Sequence, residues 1–353
     1  MSKSCACAHE GNRHPVRRII STFAGIRFGM DFDSNTSKSK YMTFSDFKHK
    51  GLYGAIGFLL AFGLFAAKSV AGQVDIAFVS DTQAPMRVEK MVLKYNQNER
   101  ATRLIFHDIF TRRPSSLVLL GDVVSLGYKE KKWLSMDQYL DSCRQAGIHV
   151  SALLGNHDVM TRPRKGESKF QQRFPTHEKT GFYRVIDSVA IVYLNSNFRK
   201  LSPEEIQKQQ TWLRNTLTTF DNDASIQITV VACHHAPYSN SKIVGSSKQV
   251  QRYFVPYFLK STKARLFLTG HSHNYEHFKK EGKDFLVIGG GGGLHQPVSK
   301  SESNLDDFSG DYKPHFHYLN IRRTCDELTI SSRFLRDDFA GFETGNSFTI
   351  STR

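Results

Sequence analysis

The chain has 353 residues, 39% of them apolar, and a formal charge of +15. That is enough for one large domain or two ordinary ones with a substantial core. Five cysteines, with no CxxC spacing beside histidine pairs, exclude a disulfide scaffold and a thiolate zinc site. The charge is uneven: residues 1–71 carry +6 and the remainder +9. The basic residues stand in short clusters, KEKK (129–132), RPRK (162–165) and FKKEGK (278–283). They read as solvated surface that suits anionic substrates, not as a dedicated nucleic-acid groove.

In chain order, the first readable element is a leader. Residues 48–73 combine a basic start, an apolar stretch from Gly51 to Ala67, and Ser69 and Ala71 at signal-peptidase spacing. The expectation is a signal peptide over 42–71 and an exported protein, periplasmic or secreted. The alternatives are an uncleaved anchor facing outward, since the stretch is at the short edge of a spanning helix, and a buried core helix. Residues 1–41 are polar and aperiodic, so they read as a non-native upstream extension. Translation is then expected to begin at Met42, with a single domain over 72–353.

From Gln73 onward, strands and helices alternate. Apolar β-rich runs occupy Val74–Val79, Leu117–Leu120, His149–Leu154, Ile226–Ala232 and Arg265–Leu268. Helix-like stretches occupy Val88–Phe110, Lys132–Ala146 and Pro203–Leu217; Ser202, Pro203 and Glu205 form a capping-box signature at the start of the last. Phe182–Ile186 and Ala190–Asn195 read as a hairpin, and 315–335 as two strands with a turn near Asp326. Alternation of this kind implies an α/β sandwich. Each of the five runs is followed by metal-ligand chemistry: Asp81; Asp122; Asn156, His157 and Asp158; His234 and His235; His271 and His273. Ligands bind beyond the carboxyl ends of strands in open α/β sheets. One Asp after a strand is ordinarily a turn residue, and one His ordinarily structural, but five such endings share one logic. Carboxylate, amide and imidazole together suit Mn, Fe or Zn.

These residues carry a resemblance. Asp81, GD (121–122), GNHD (155–158), HH (234–235) and GHSH (270–273) resemble the ordered motifs of the calcineurin-like metallophosphoesterases. GHSHNYEH and HHAPYS are most similar to the secreted, purple-acid-phosphatase-like branch, as is the glycine run 289–293. The resemblance implies a four-layer α/β/β/α sandwich, two mixed sheets flanked by helices, with a dinuclear metal centre at one sheet edge. It also departs from pattern. Gln83 stands where the family's first motif has His. Ser125 stands where the purple enzymes place a metal-binding Tyr, so their colour is not expected. The Asp-Arg-Gly of Ser/Thr protein phosphatases is missing after GD.

By this resemblance, one ion takes Asp81, Asp122 and His273, with Gln83 through its amide oxygen. The other takes Asp122, Asn156, His234 and His271, and Asp122 bridges. The ligand in HH is His234 on the His-x-x-x-aromatic-Ser register and His235 on the shorter His-x-Pro spacing; His234 is preferred. Two divalent or trivalent ions then activate a bridging hydroxide for in-line attack on a phosphate ester. His157 stabilises charge or protonates the leaving oxygen. Asp158 fixes the His157 tautomer or, alternatively, caps a helix. Arg162, Arg164 and Lys165 follow GNHD closely enough to bind the substrate's anionic part. The substrate is a phosphorylated small molecule or a phosphodiester. Two alternatives remain: a metal-holding, catalytically weak binding protein, and a basic nucleic-acid or membrane-surface binder.

Overall fold

The computed structural model describes residues 74–299, 305–310 and 314–352. The leader, with its signal-peptide or anchor reading, lies outside the described residues. Among the described residues no helix is long and apolar enough to cross a membrane.

The first strand, β1 (Val74–Val79), explains the layering. Ile76 and Phe78 point into one core, and Ala77 and Val79 into another. Alternate side chains leave a strand on opposite faces, so a strand that is apolar at every position must be covered on both. β2 (Ser116–Leu119) repeats this, with Val118 on the inner face and Leu117 and Leu119 on the outer. β1 and β2 are joined in one six-stranded sheet by β3 (His149–Ala152), β10 (His317–Arg323), β11 (Glu327–Leu335) and β12 (Phe342–Ser351), in the order β12-β11-β10-β1-β2-β3. The second sheet has the order β4-β5-β6-β7-β9-β8: β4 (Phe182–Ile186), β5 (Val189–Tyr193), β6 (Ile228–Ala232), β7 (Ala264–Thr269), β8 (Tyr275–Lys280) and β9 (Lys283–Ile288). Both sheets are mixed. β1, β2 and β3 run parallel in the first, and β5, β6, β7 and β9 in the second.

Three cores separate four layers. Ile105 and Ile109 of α1 (Asn98–Arg112), Trp133 and Leu140 of α2 (Glu130–Gln145), and Phe170 of α3 (Pro163–Arg173) cover the outer face of the first sheet. Ile76, Val118, Ile191, Val230, Leu266 and Ile321 meet between the sheets. Leu213 and Leu217 of α4 (Pro203–Asn222), with Phe254 and Phe258 around α5 (Lys248–Tyr253) and α6 (Val255–Lys260), cover the second sheet. The expected α/β/β/α sandwich is present.

The capping box of α4 forms as its sequence signals. Glu205 N donates to Ser202 Oγ at 3.2 Å, and Ser202 N donates to Glu205 Oε2 at 2.8 Å. One expectation needs correction. Val88–Phe110 is not one helix: a single 3₁₀ turn, Glu89–Met91, is followed by irregular chain until Asn98. Gln97 is left-handed (φ 52°), and the Asn98 side chain donates to Gly292 O and Gly293 O at 2.8 and 2.9 Å. A side chain committed to a distant loop sets where the helix begins. The basic run at 162–165, for which no element was expected, lies at the start of α3, with Arg162 at the cap and Pro163 in the first turn.

Candidate metal centre

β1, β2, β3, β6 and β7 all deliver their following residues to one edge. Three of these, Asp81 (φ 58°), Asp122 (φ 49°) and His271 (φ 68°), are left-handed. That conformation ends the pleat abruptly and swings the side chain across the sheet edge. It costs roughly 1–2 kcal/mol per residue for an L-amino acid, which the surrounding packing must offset. The glycine of GNHD is a spacing requirement. A Cβ on Gly155 would stand 2.0 Å from Asp122 N and 2.1 Å from its Oδ1.

The donors converge in two groups. In the first, Asp122, His234 and His271 each offer an atom, all within 4.8 Å of one another. Asp122 Oδ2 lies 3.2 Å from His234 Nε2, and Asn156 Oδ1 lies 3.1 Å from the same nitrogen. In the second, Asp81 Oδ1 is 3.4 Å from His273 Nε2, which also lies 3.3 Å from the Gln83 amide nitrogen. Rotating that amide by half a turn would present its oxygen instead. Asp81 Oδ1 is 4.0 Å from His234 Nε2, so the groups adjoin.

The imidazoles are held by their far nitrogens. His234 Nδ1–H donates to Leu120 O at 2.9 Å and His273 Nδ1–H to Leu294 O at 2.7 Å, leaving each Nε2 for the centre. Gly293 lies so close to the His273 ring that a Cβ would stand 2.4 Å away. The Asn98 bonds, and Thr102 Oγ1 donating to Gly291 O at 2.9 Å, fasten this glycine loop to α1.

Electrostatics agree with a cation-binding role. Asp81 and Asp122 are completely buried. Burial raises the Asp122 carboxyl, but His234 and His157 outweigh it and hold the group far below its usual range. Burial opposes charging His234, yet Asp122 and Asp81 push it up to about 9. A buried carboxylate beside an imidazole that it keeps protonated is a place where a metal ion can replace the proton. The donor set therefore fits the hard-to-intermediate ions that its chemistry suggested.

The structure brings His234, and not His235, to the carboxylates. His235 hydrogen-bonds Ser196 Oγ through Nδ1 at 2.8 Å and lines the neighbouring cleft; burial and the His234 charge lower it to about 3. His157 borders the floor. Its N–H donates to Asp122 Oδ1 at 2.7 Å, and its Nε2 is 3.9 Å from Asp122 Oδ2 and 3.7 Å from Glu89 Oε1. Asp158 does not reach the His157 ring, contrary to expectation. It accepts from Val124 N at 3.2 Å and Gly155 N at 2.9 Å, and the ring's Nδ1–H donates to Ser125 O at 3.2 Å. Asp158 shapes the GNHD turn, and a backbone carbonyl sets the tautomer. His277 turns away and pairs with Asp284 at 2.8 Å.

Two lobes of about 400 Å³ each open over the centre and share Asn156, Val244 and His271. One, the more polar, carries Ser196, Arg199, Lys200, His235 and Gln249 beside Phe198 and Val244. The other is walled by Val88, Val92, Leu93, Ile243 and Leu294 beside Asp122, His157, His271 and His273. Of the RPRK cluster, Arg164 borders a separate cleft that shares only Asn197, Arg199 and Lys200 with the polar lobe, and Arg162 stacks over Tyr128. Sequence reasoning missed Glu89, Arg199 and Lys200. The last two lie in the 3₁₀ turn Phe198–Lys200 beyond β5, and the strand-end rule applied to that strand would have pointed only to the loop that leads to them.

A four-layer sandwich with carboxylate, amide and imidazole donors at one edge defines a metallophosphoesterase fold. The profile of the calcineurin-like phosphoesterases matches residues 74–275, and the chain belongs to that family. No curated protein matches the sequence. Among solved structures, the purple acid phosphatase PPD1 of yellow lupin (Lupinus luteus) seeds aligns with a TM-score of 0.58 at 16% identity, over 79% of this chain and 54% of its own. The chain thus spans about half the length of that enzyme. GAP50, described as the anchor in the inner membrane complex of Plasmodium, aligns with a TM-score of 0.55 at 15% identity over 79% of this chain and 89% of its own. PhoD aligns at 0.52 and 12%, over 79% and 70%. At these identities the likeness is one of fold.

Proposed function

We propose that this protein hydrolyses phosphate esters with the help of two metal ions, Mn, Fe or Zn. One would be held by Asp81, Asp122 and His273 with Gln83, the other by Asp122, Asn156, His234 and His271. The observation that carries this reading is Asp122, whose Oδ2 lies 3.2 Å from His234 Nε2 while Asp81 Oδ1 lies 3.4 Å from His273 and 4.0 Å from His234. Ions bound there would acidify water and offset the charge of a phosphate. The chain's own residues do the rest. Asp81 and Asp122 supply buried carboxylate oxygens to the floor. Leu120 O and Leu294 O aim the two imidazoles. His157, tethered at Ser125 O, offers Nε2 to the leaving oxygen or to developing charge. Arg199 and Lys200 attract the anion from the polar lobe.

A second reading has its own support. Gln83 stands in place of a stronger imidazole donor, which favours a protein that holds metal but turns over weakly. A fold relative is described as an anchor, and one fold can carry unrelated functions. The experiment is turnover of p-nitrophenyl phosphate and bis(p-nitrophenyl) phosphate by Mn²⁺-loaded protein, with elemental analysis alongside. Hydrolysis with two ions per chain is expected. Two ions without hydrolysis favours the second reading, and Gln83→His should then raise both first-site affinity and rate.

A further inference from the structure

The two lobes over the centre differ in chemistry. The polar lobe carries Arg199 and Lys200. The other is predominantly apolar, although its floor is the donor cluster itself. Its wall comes from three separate segments, 88–93, 243–244 and 294–296. Val88 and Val92 flank the 3₁₀ turn and are 61% and 77% exposed; Ile243, in the loop after β6, is 50% exposed. Isolated surface hydrophobics need no explanation, but exposed side chains from separate segments around one cleft mark a binding wall.

That wall is built in advance. The buried Glu276 accepts from Ser239 Oγ at 2.8 Å and from Asn240 N at 2.7 Å, pinning the loop's start to β8. Ser241 Oγ donates to Gln296 Oε1 at 2.7 Å and accepts from Ile243 N at 3.2 Å. Lys242 N donates to Pro297 O at 2.9 Å. Ile243 therefore stands on an anchored strap. On the facing segment, Leu93 N donates to Glu89 O at 2.8 Å and Met86 N to Glu89 Oε2 at 2.5 Å.

We infer that the substrates are phosphate esters with an apolar alkyl or aryl substituent, which seats between Leu93 and Ile243. The phosphate lies over the donor cluster, and any polar remainder extends toward Arg199 and Lys200. This rests on the reading that phosphate binds at the Asp122 cluster. A lobe of about 400 Å³ is at the small end of ligand sites and fits a ring or a short chain. Burial of each methylene should tighten binding by about fourfold until the lobe is full.

The test is calorimetric binding of methyl-, butyl- and hexylphosphonate to the Mn²⁺-loaded protein. Affinity should climb along the series, and Leu93→Asn with Ile243→Asn should flatten the climb. Should that double variant not fold, Ile243→Ser serves alone, since its side chain is half exposed. A flat wild-type series, no binding by any member, or a climb that neither variant reduces overturns the inference. Failure to hydrolyse any ester while the series climbs overturns the phosphoesterase reading and leaves the lobe assigned. Phosphatidic acid in phosphatidylcholine vesicles separates two sources of the same chemistry. Sedimentation with the vesicles assigns a lipid ester, and binding of hexylphosphonate alone assigns a free one.

Discussion

Asp122 and His157 lie within 3.9 Å of each other, yet their substitutions should have opposite signatures. Asp122→Asn removes a buried charge that faces both donor groups. Metal content should fall below that of wild type and activity nearly vanish; two tightly held ions by elemental analysis would refute the assignment. His157→Ala takes away no proposed ligand. Metal content should persist while the rate drops by about 10²-fold or more. The drop should be smaller for a p-nitrophenol leaving group, which needs no proton, than for an alkanol. A third residue tests geometry alone. Gly155→Ala brings a Cβ against Asp122 N and Oδ1, backbone and ligand that cannot both retreat. It should destabilise the fold by roughly 1–3 kcal/mol or more and weaken metal binding. Chemical denaturation of the metal-free variant measures the first effect apart from the second.

Among the elements, β8 carries the most informative polar group. Burial pushes the Glu276 carboxyl up to about 7, and the donated bonds from Asn240 N, Ser239 and Ser272 only partly oppose it. A carboxyl whose folded pKa lies above its unfolded value stabilises fully below about pH 4.5, and that contribution is lost as the pH rises through about 7. Glu276→Gln does not titrate. Its stability relative to wild type should therefore improve from pH 4.5 to 7.5 in metal-free protein, as followed by thermal unfolding; a constant difference would show that Glu276 stays ionised in the fold. Glu276 was not legible in the sequence, because YEHFKK is too polar to read as a strand. The same is true of β12, FETGNSFTIS, with its internal glycine. Apolar strands such as VDIAFV were legible, and so were the carboxylate, amide and imidazole side chains after them, since a strand end is both a pattern break and a position at the sheet edge. The stretch 88–97 misled because Val88, Val92 and Leu93 have helical spacing. Those side chains wall a cleft, and no local signal separates a cleft wall from a helix face. Asp158 misled for a related reason: its neighbour in sequence is His157, but its neighbours in space are two backbone N–H groups.

At the scale of the molecule, the donors straddle the seam between the sheets. Asp81, Asp122 and Asn156 follow strands of the first sheet, and His234 and His271 follow strands of the second. An ion bound by both ties the sheets together, and any ligand that binds only the folded state raises stability by mass action. At 100 times the dissociation constant this is about 2.7 kcal/mol, or roughly 5–10 °C in melting temperature for a domain near this size. Mn²⁺ or Zn²⁺ should raise the melting temperature and a chelator lower it. Asp122→Asn should abolish most of the response, and an unchanged melting temperature on metal addition to wild type would argue against the tie. The first sheet holds a further consequence, one of time. β1 is flanked by β2, which follows it closely, and by β10, where Val74 meets Arg323. Strands far apart in the sequence thus share the middle of one sheet. On a ribosome adding 5–20 residues per second, β1 waits roughly 12–50 s for that neighbour. During that interval an apolar strand edge is open and the donor-bearing loops have no finished sheet beneath them. The molecule is completed from its last strands inward, and interruption of synthesis before β10 would leave an adhesive intermediate rather than a smaller working protein.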